Sequence, residues 1–220
     1  AHTWTVDEVA YPAVAVGAPV ITEQPATQTV IIGASVIFSV AATSETPLSY
    51  QWCKDGEAIV GATEATYSID AAAEADAGAY SVTVSNYLDS VDSAIATLTV
   101  TEPKPGDTFT IGDLTYTITA LPTAEANGTV SVKAKDDSIS GDLNIPASAT
   151  WGDKTYNVTA VEKDAFIDCR GLTSVTIPDT VDTIGASAFN ACEGLTSVVV
   201  GDGVVSIGDY AFHNCSNLKG

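Results

Sequence analysis

The chain has 220 residues, 45% of them hydrophobic, and a formal net charge of −20 from 28 acidic and 8 basic side chains. That length allows one large or two modest domains, and the apolar share excludes a wholly disordered chain. Acidity on this scale repels phosphate backbones and anionic bilayers, which argues against nucleic acid as a partner.

Residues 1–20 alternate weakly and read as a linker or the tail of a preceding module. From 21 to 101 the pattern is all-β. Val36–Val40, Tyr50–Trp52, Ala65–Ile69, Ala79–Asn86 and Ala94–Val100 alternate apolar and polar residues with period two. Turn signals separate them at Lys54-Asp55-Gly56, Val60-Gly61-Ala62 and Asp76-Ala77-Gly78. The alanine-rich stretch Ala71–Ala77 is too short for an independent helix and reads as a loop with one helical turn. Short strands at this spacing predict a sandwich or barrel.

Residues 102–106 form a linker stiffened by Pro103 and Pro105. Residues 107–160 are β-rich again: Phe109–Thr119, Thr129–Ala134, Asp142–Pro146 and Thr155–Val161, with turns at Asn127-Gly128 and at Trp151-Gly152-Asp153. From 161 to 220 a 23-residue period takes over. It aligns Ala165, Ala188 and Ala211; Phe166, Phe189 and Phe212; Cys169, Cys192 and Cys215; and Leu172, Leu195 and Leu218. A repeat of this length is one coil of a solenoid, in which each side chain stacks on its counterpart one coil away. Leu172–Pro178 reads as a short strand with Leu172, Val175 and Ile177 inward, and Ser187–Cys192 as a short helical or 3-10 return segment. Gly185 and Gly208 are expected to close each coil at positive φ.

These motifs carry two resemblances. Gln51–Gly56 (QWCKDG) and Ala75–Asn86 (ADAGAYSVTVSN) resemble the C strand and the F strand of an intermediate-set immunoglobulin domain. The resemblance implies that Trp52 is the buried core tryptophan and that Tyr80, with Asp76, forms the corner that returns a hydroxyl bond to the backbone. It also places Val40 and Val82 where the family's B–F disulfide would stand, so packing replaces that bond. The A-F-x-x-C-x-x-L-x-x-V-x-I-P pattern of 165–178 resembles the leucine-rich repeats of BspA-like bacterial surface proteins, with 107–160 as a β-rich cap. Ile145-Pro146 echoes Ile177-Pro178, whereas Gly201 replaces the proline in the next coil and is expected to loosen that turn.

No chemical site emerges. The two histidines, His2 and His213, lack partners, and no nucleophile elbow, zinc helix, P-loop or dinucleotide fingerprint occurs. The stacked cysteines read as apolar core plugs, and all four, Cys53 included, as free thiols. Asp136-Asp137 and Asp182 lie in turns without a calcium-loop pattern. The expectation is therefore no catalytic residue, cofactor or metal. Met is absent, which reads as a processed or excised fragment, and Gly220 falls within a repeat, so either the protein continues or the last coil frays. No apolar run reaches the ~20 residues of a spanning helix, so no membrane insertion is expected in this segment.

The family resemblances imply an extracellular bacterial protein, secreted or on the cell surface, that binds or adheres to a host protein or glycan; a monomer is expected. The outward row of the solenoid strand, Thr173, Ser174, Thr176, Thr196, Ser197 and Val199, is the expected contact face. A structural spacer or stalk that presents other domains is the alternative.

Overall fold

The computed structural model describes residues 17–219, so most of the segment read as a linker or tail, 1–16, lies outside the described residues. The chain divides into two units: residues through Val30 with Ser35–Val100, and Ile31–Ala34 with Thr101 onward. The described residues are almost entirely strand and turn, and the only helical element is a 3-10 turn at Glu74–Asp76.

The first unit contains β1 (Val20–Glu23), β2 (Gln28–Ile31), β3 (Val36–Ser39), β4 (Ala41–Thr43), β5 (Ser49–Lys54), β6 (Glu57–Ala58), β7 (Thr66–Ile69), β8 (Gly78–Ser85), β9 (Ser90–Asp92) and β10 (Ala96–Thr101). One sheet runs β2-β10-β8-β5-β6 with β9 also on β8, and the pairs β3-β7 and β1-β4 make up the rest. Period-two burial along β3 and β8 aims Val36, Phe38, Tyr80, Val82 and Val84 into one core with Trp52, Leu98 and Val40. The β5–β6 hairpin turns at Asp55 (φ 53°) and Gly56 (φ 87°). Two consecutive positive φ values define the tight turn whose twist matches the flanking strands. The outlying strands β1, β2, β4, β6 and β9 carry too few residues to show alternation in sequence.

The second unit contains β11 (Thr108–Ile111), β12 (Leu114–Ala120), β13 (Gly128–Ala134), β14 (Ser140–Asn144), β15 (Ser148–Trp151), β16 (Lys154–Val161), β17 (Gly171–Ile177), β18 (Thr183–Ile184), β19 (Ser197–Val200) and β20 (Ser206–Ile207). Phe109–Thr119 is a hairpin rather than the single strand read from sequence: Gly112, at φ 59°, turns β11 back onto β12. One sheet runs β11-β12-β13-β16-β18-β20 with β15 on β16, antiparallel at first and parallel from β13 on; the other is β14-β17-β19, all parallel. A single buried cluster runs without a break from Phe109 to Ala211.

Three expectations about the coils are corrected. The segment Ser187–Cys192 is a run of turns, with no helical or 3-10 assignment. Alternate backbone N–H groups bond to the next coil, while those between them, on Ala188, Asn190 and Cys192, donate three residues back within the turn. Asp164, Phe166 and Asp168 donate to the carbonyls of Ala186, Ala188 and Asn190, and Ser187, Phe189 and Ala191 to those of Asp209, Ala211 and His213. A helix would consume these donors within the segment, so the ladder between coils and a helix exclude each other. Alternating donors require a backbone that flips, and the positive φ values fall on non-glycine residues at Asp164, Ser187 and Tyr210 and again at Asp168, Ala191 and Asn214. Gly185 and Gly208 do not have positive φ. They are needed because a Cβ on Gly185 would stand 2.5 Å from Glu162 C, and one on Gly208 2.4 Å from Ala186 N. Gly201 likewise marks a tight approach rather than a loosened turn, since its Cβ would lie 2.6 Å from the Asp179 nitrogen.

Phe166, Phe189 and Phe212 stack with centroids 5.0 and 5.2 Å apart and planes within 2° of parallel. Beside them the cysteines cap carbonyls of the neighbouring coil: Cys192 Sγ donates to Phe166 O and Cys215 Sγ to Phe189 O, both at 3.1 Å. Burial pushes the Cys169 thiol up to about 11 and Cys192 up to about 12, and raises Cys215 as well. All four cysteines are free, with Cys169 and Cys192 buried and Cys53 and Cys215 half-buried.

An alkaline weakness follows. A thiol raised on folding contributes stability in full below its unfolded value, about 8.5, and loses it as pH rises through the folded value. The melting temperature of the repeat unit should therefore fall between about pH 9 and the folded values near 11 and 12. Melting curves followed from pH 7 upward check this, and Cys192→Ala should flatten the decline. A repeat unit equally stable at pH 7 and pH 10.5 would contradict the assignment.

Candidate functional site

The contact row read from the sequence sits on the outer face of β14, β17 and β19. Parallel pairing sets Asp142 beside Ser174 and Ser174 beside Ser197; the next row is Asn144, Thr176 and Val199. Thr173, Thr176, Thr196, Ser197 and Val199 are exposed and Ser174 is half-buried. Inward-facing Val175 and Ile177 anchor the same strand in the core. Thr173 and Ser174 are consecutive, yet both reach outward because the register shifts opposite Gly141 and Asp142, which pair with Leu172 and Ser174 and leave Thr173 as an extra residue of β17.

Asp142 organises this face. Thr173 Oγ1 and Ser174 Oγ both donate to Asp142 Oδ1 at 2.7 Å, and Thr196 Oγ1 donates to Thr173 O at 2.9 Å. The hydroxyl bonds from Ser174 and Thr173 hold the Asp142 carboxyl below its usual range. With their hydrogens committed to the exposed Asp142 carboxylate and to the Thr173 carbonyl, these three hydroxyls offer lone pairs to solvent. The face is thus a grid of acceptors around a carboxylate with Val199 at one edge, spaced about 4.8 Å across strands and twice the ~3.3 Å rise along them. It suits hydrogen-bond donors: amide or sugar hydroxyl groups, or a cation. Sequence reasoning passed over Asp142 and Asn144. The signal for them was the Ile145-Pro146 echo, since Ile145 N donates to Thr176 O and so places this strand one coil before β17.

The residues expected to be structural lie as follows. Trp52 is fully buried, with Nε1 donating to Glu64 O at 2.9 Å. Tyr80 donates its hydroxyl to Asp76 O at 2.7 Å, and Asp76 caps the Ala73 nitrogen at 2.8 Å. Val40 and Val82 are both buried in the sandwich core. Phe166, Phe189, Cys169 and Cys192 are buried and Phe212 and Cys215 half-buried in the solenoid. Among the described residues no cluster of His, Cys, Asp or Glu has metal-holding geometry, and no helix is long and apolar enough to cross a membrane.

One unit is a β-sandwich and the other a parallel β-solenoid that grows from an antiparallel cap. Residues 18–86 match the model described as Immunoglobulin domain, and residues 153–220 match that of the BspA type leucine rich repeat region, 6 copies. The chain thus carries an immunoglobulin-like domain followed by BspA-type leucine-rich repeats. It is similar to a decoration protein of Escherichia phage T5, 45% identical over 76 residues that cover 34% of this chain and 46% of the relative. The chain therefore spans about half the length of that relative. Among solved structures it is similar to a leucine-rich repeat protein from Bacteroides capillosus ATCC 29799, with 33% identity, a TM-score of 0.44, and coverage of 51% of this chain and 78% of that one. Titin domains I67–I69 match with 26% identity, a TM-score of 0.34, and coverage of 38% of this chain and 32% of that one.

Proposed function

We propose that this chain is an extracellular binding or adhesion module of a bacterial surface protein, and that it recognises a host protein or glycan through the outer face of β14, β17 and β19. The observation that carries the reading is the Asp142–Thr173–Ser174 constellation, in which two hydroxyl hydrogens are committed to one exposed carboxylate, so that their oxygen lone pairs and the carboxylate face solvent together. Both domain types are ones that commonly bind rather than catalyse. The name of the phage relative, decoration protein, fits attachment to a surface. The module works without cofactor or metal, as a monomer, and without turnover. Its serine and threonine hydroxyls here are held by a carboxylate, which fixes their direction but is no strong base for a nucleophile.

The test is a block substitution on the full chain. Thr173, Ser174, Thr176, Thr196 and Ser197 are replaced together by Lys, alongside a milder variant, Asp142→Asn. The fold should stand, because none of these side chains enters the core. Attachment to host matrix or glycan arrays should fall at least tenfold for the block and several-fold for Asp142→Asn. The lowered Asp142 carboxyl stays ionised through the ordinary carboxylate range, so attachment by this face should not change between pH 7 and pH 5. A folded block variant that attaches as the parent does would reject the face and move the binding surface elsewhere, to the sandwich first, whereas a parent chain that attaches to nothing would favour the spacer reading. Turnover of a sugar or peptide substrate would reject the non-catalytic one.

A further inference from the structure

At one end of the sandwich, β8 and β9 are joined by Asn86-Tyr87-Leu88-Asp89, with Ser85 paired to Ser90. The two residues at the tip point into solvent: Tyr87 is 71% exposed and Leu88 52%. An aromatic and a leucine on a mobile loop would ordinarily collapse onto the protein. Here Asn86 prevents it. Its Oδ1 accepts the backbone N–H groups of Leu88 and Asp89, both at 2.9 Å, and its own N–H donates to Asp89 O at 2.9 Å. Its Nδ2 donates outward to Ser44 Oγ at 3.1 Å and to Gly17 O at 2.8 Å. One side chain therefore closes the turn and ties it to two neighbouring segments. Val20, 60% exposed, pairs with Thr43 next to Ser44 and joins the same end.

Charge at this end has one sign. Residues 17–23, 41–48 and 85–92 hold Glu23, Glu45, Asp89 and Asp92 and no lysine or arginine. From 18 to 101 there are ten carboxylates and a single cation, Lys54, which lies 3.1 Å from Asp55.

We propose that the Tyr87–Leu88 tip, with Val20, Glu45 and Asp89 around it, is a second docking surface, whose partner is a protein segment combining lysine or arginine with apolar side chains. Rigid aromatic anchors of this kind lose little entropy on binding and tend to carry most of an interface's energy. An acidic rim steers cationic partners and repels anionic ones. A second copy of this chain is a poor occupant, because two surfaces of a protein with net charge −20 repel each other. This surface does not depend on the solenoid face.

The probe is a phage-displayed library of random twelve-residue peptides selected on the full chain, the selected peptides then being measured as synthetic compounds. Selected sequences should combine Lys or Arg with aromatic or aliphatic residues. They should bind the double variant Tyr87→Ser, Leu88→Ser at least tenfold more weakly, and Glu45→Lys about threefold more weakly at low salt. Glu45→Lys leaves the tip intact, so it reads the charge contribution even if the double variant disturbs the turn. The Lys block on β17 and β19 should leave this binding unchanged, which separates this surface from the solenoid reading. Peptides without a basic bias, peptides that bind the double variant and Glu45→Lys as tightly as the parent, or a selection that enriches nothing would overturn the proposal.

Discussion

Trp52→Ala should unfold the immunoglobulin-like unit and leave the repeats folded. The indole is fully buried, 6.1 Å from the Phe38 ring and 6.4 Å from Tyr67, and its Nε1 is bonded to Glu64 O. Phe38 in turn stacks on Tyr80 at 4.6 Å, so the indole is one member of an aromatic group that joins β3, β5, β7 and β8. Truncation opens a cavity the size of the ring, which neighbouring strands cannot close without breaking their ladders. Aromatic-to-alanine changes in such sites cost ~3–5 kcal/mol, against a total of about 5–15 kcal/mol for a domain. No disulfide limits the unfolded chain here, since valines stand at 40 and 82, so nothing offsets that loss. Calorimetry of the parent should show two transitions, and in the variant one should vanish or move down by tens of degrees while the other stays. A single transition that shifts as a whole would mean the two units unfold as one.

Phe189→Ala should be nearly as damaging to the repeats, and far more so than Phe212→Ala. Phe189 is fully buried between the Phe166 and Phe212 rings, so its loss leaves a sealed void and removes two stacking contacts. In a solenoid, stability is the sum of coils and of interfaces between neighbours, and this one change weakens two interfaces. The cost should be ~3–5 kcal/mol, against about half that for the half-buried Phe212. Urea unfolding of both variants measures it, and equal destabilisation would show that the stack does not couple the coils.

Much of the architecture was legible because it rests on local pattern. The alternation in Val36–Val40 and Ala79–Asn86 reappears as buried and exposed residues along β3 and β8. The 23-residue period placed Phe on Phe and Cys on Cys, because a stacked coil demands self-complementary side chains. The outward residues Thr173, Thr176, Thr196 and Ser197 were legible for the same reason. Asp142 was not, since the insertion containing β15 and the first part of β16 stretches the spacing between the first two coils and hides its register. Short strands such as Ser148–Trp151 were missed because four residues show no period.

The sequence by itself determined which units the chain builds, where their cores lie and which strand faces outward, since these follow from the spacing of apolar side chains. Tertiary structure alone decided how the coils close. Whether Ser187–Cys192 becomes a helix or a run of turns depends on where its N–H groups find carbonyls, and for Ser187, Phe189 and Ala191 these lie in the next coil, out of reach of any local propensity. The same ladder sets positive φ on Asp164, Ser187 and Tyr210, and it keeps Gly185 and Gly208 for closeness rather than for conformational freedom. It is also tertiary pairing that sets Asp142 beside Ser174 and turns a row of ordinary hydroxyls into an oriented face, because a hydroxyl takes its direction from the acceptor it meets.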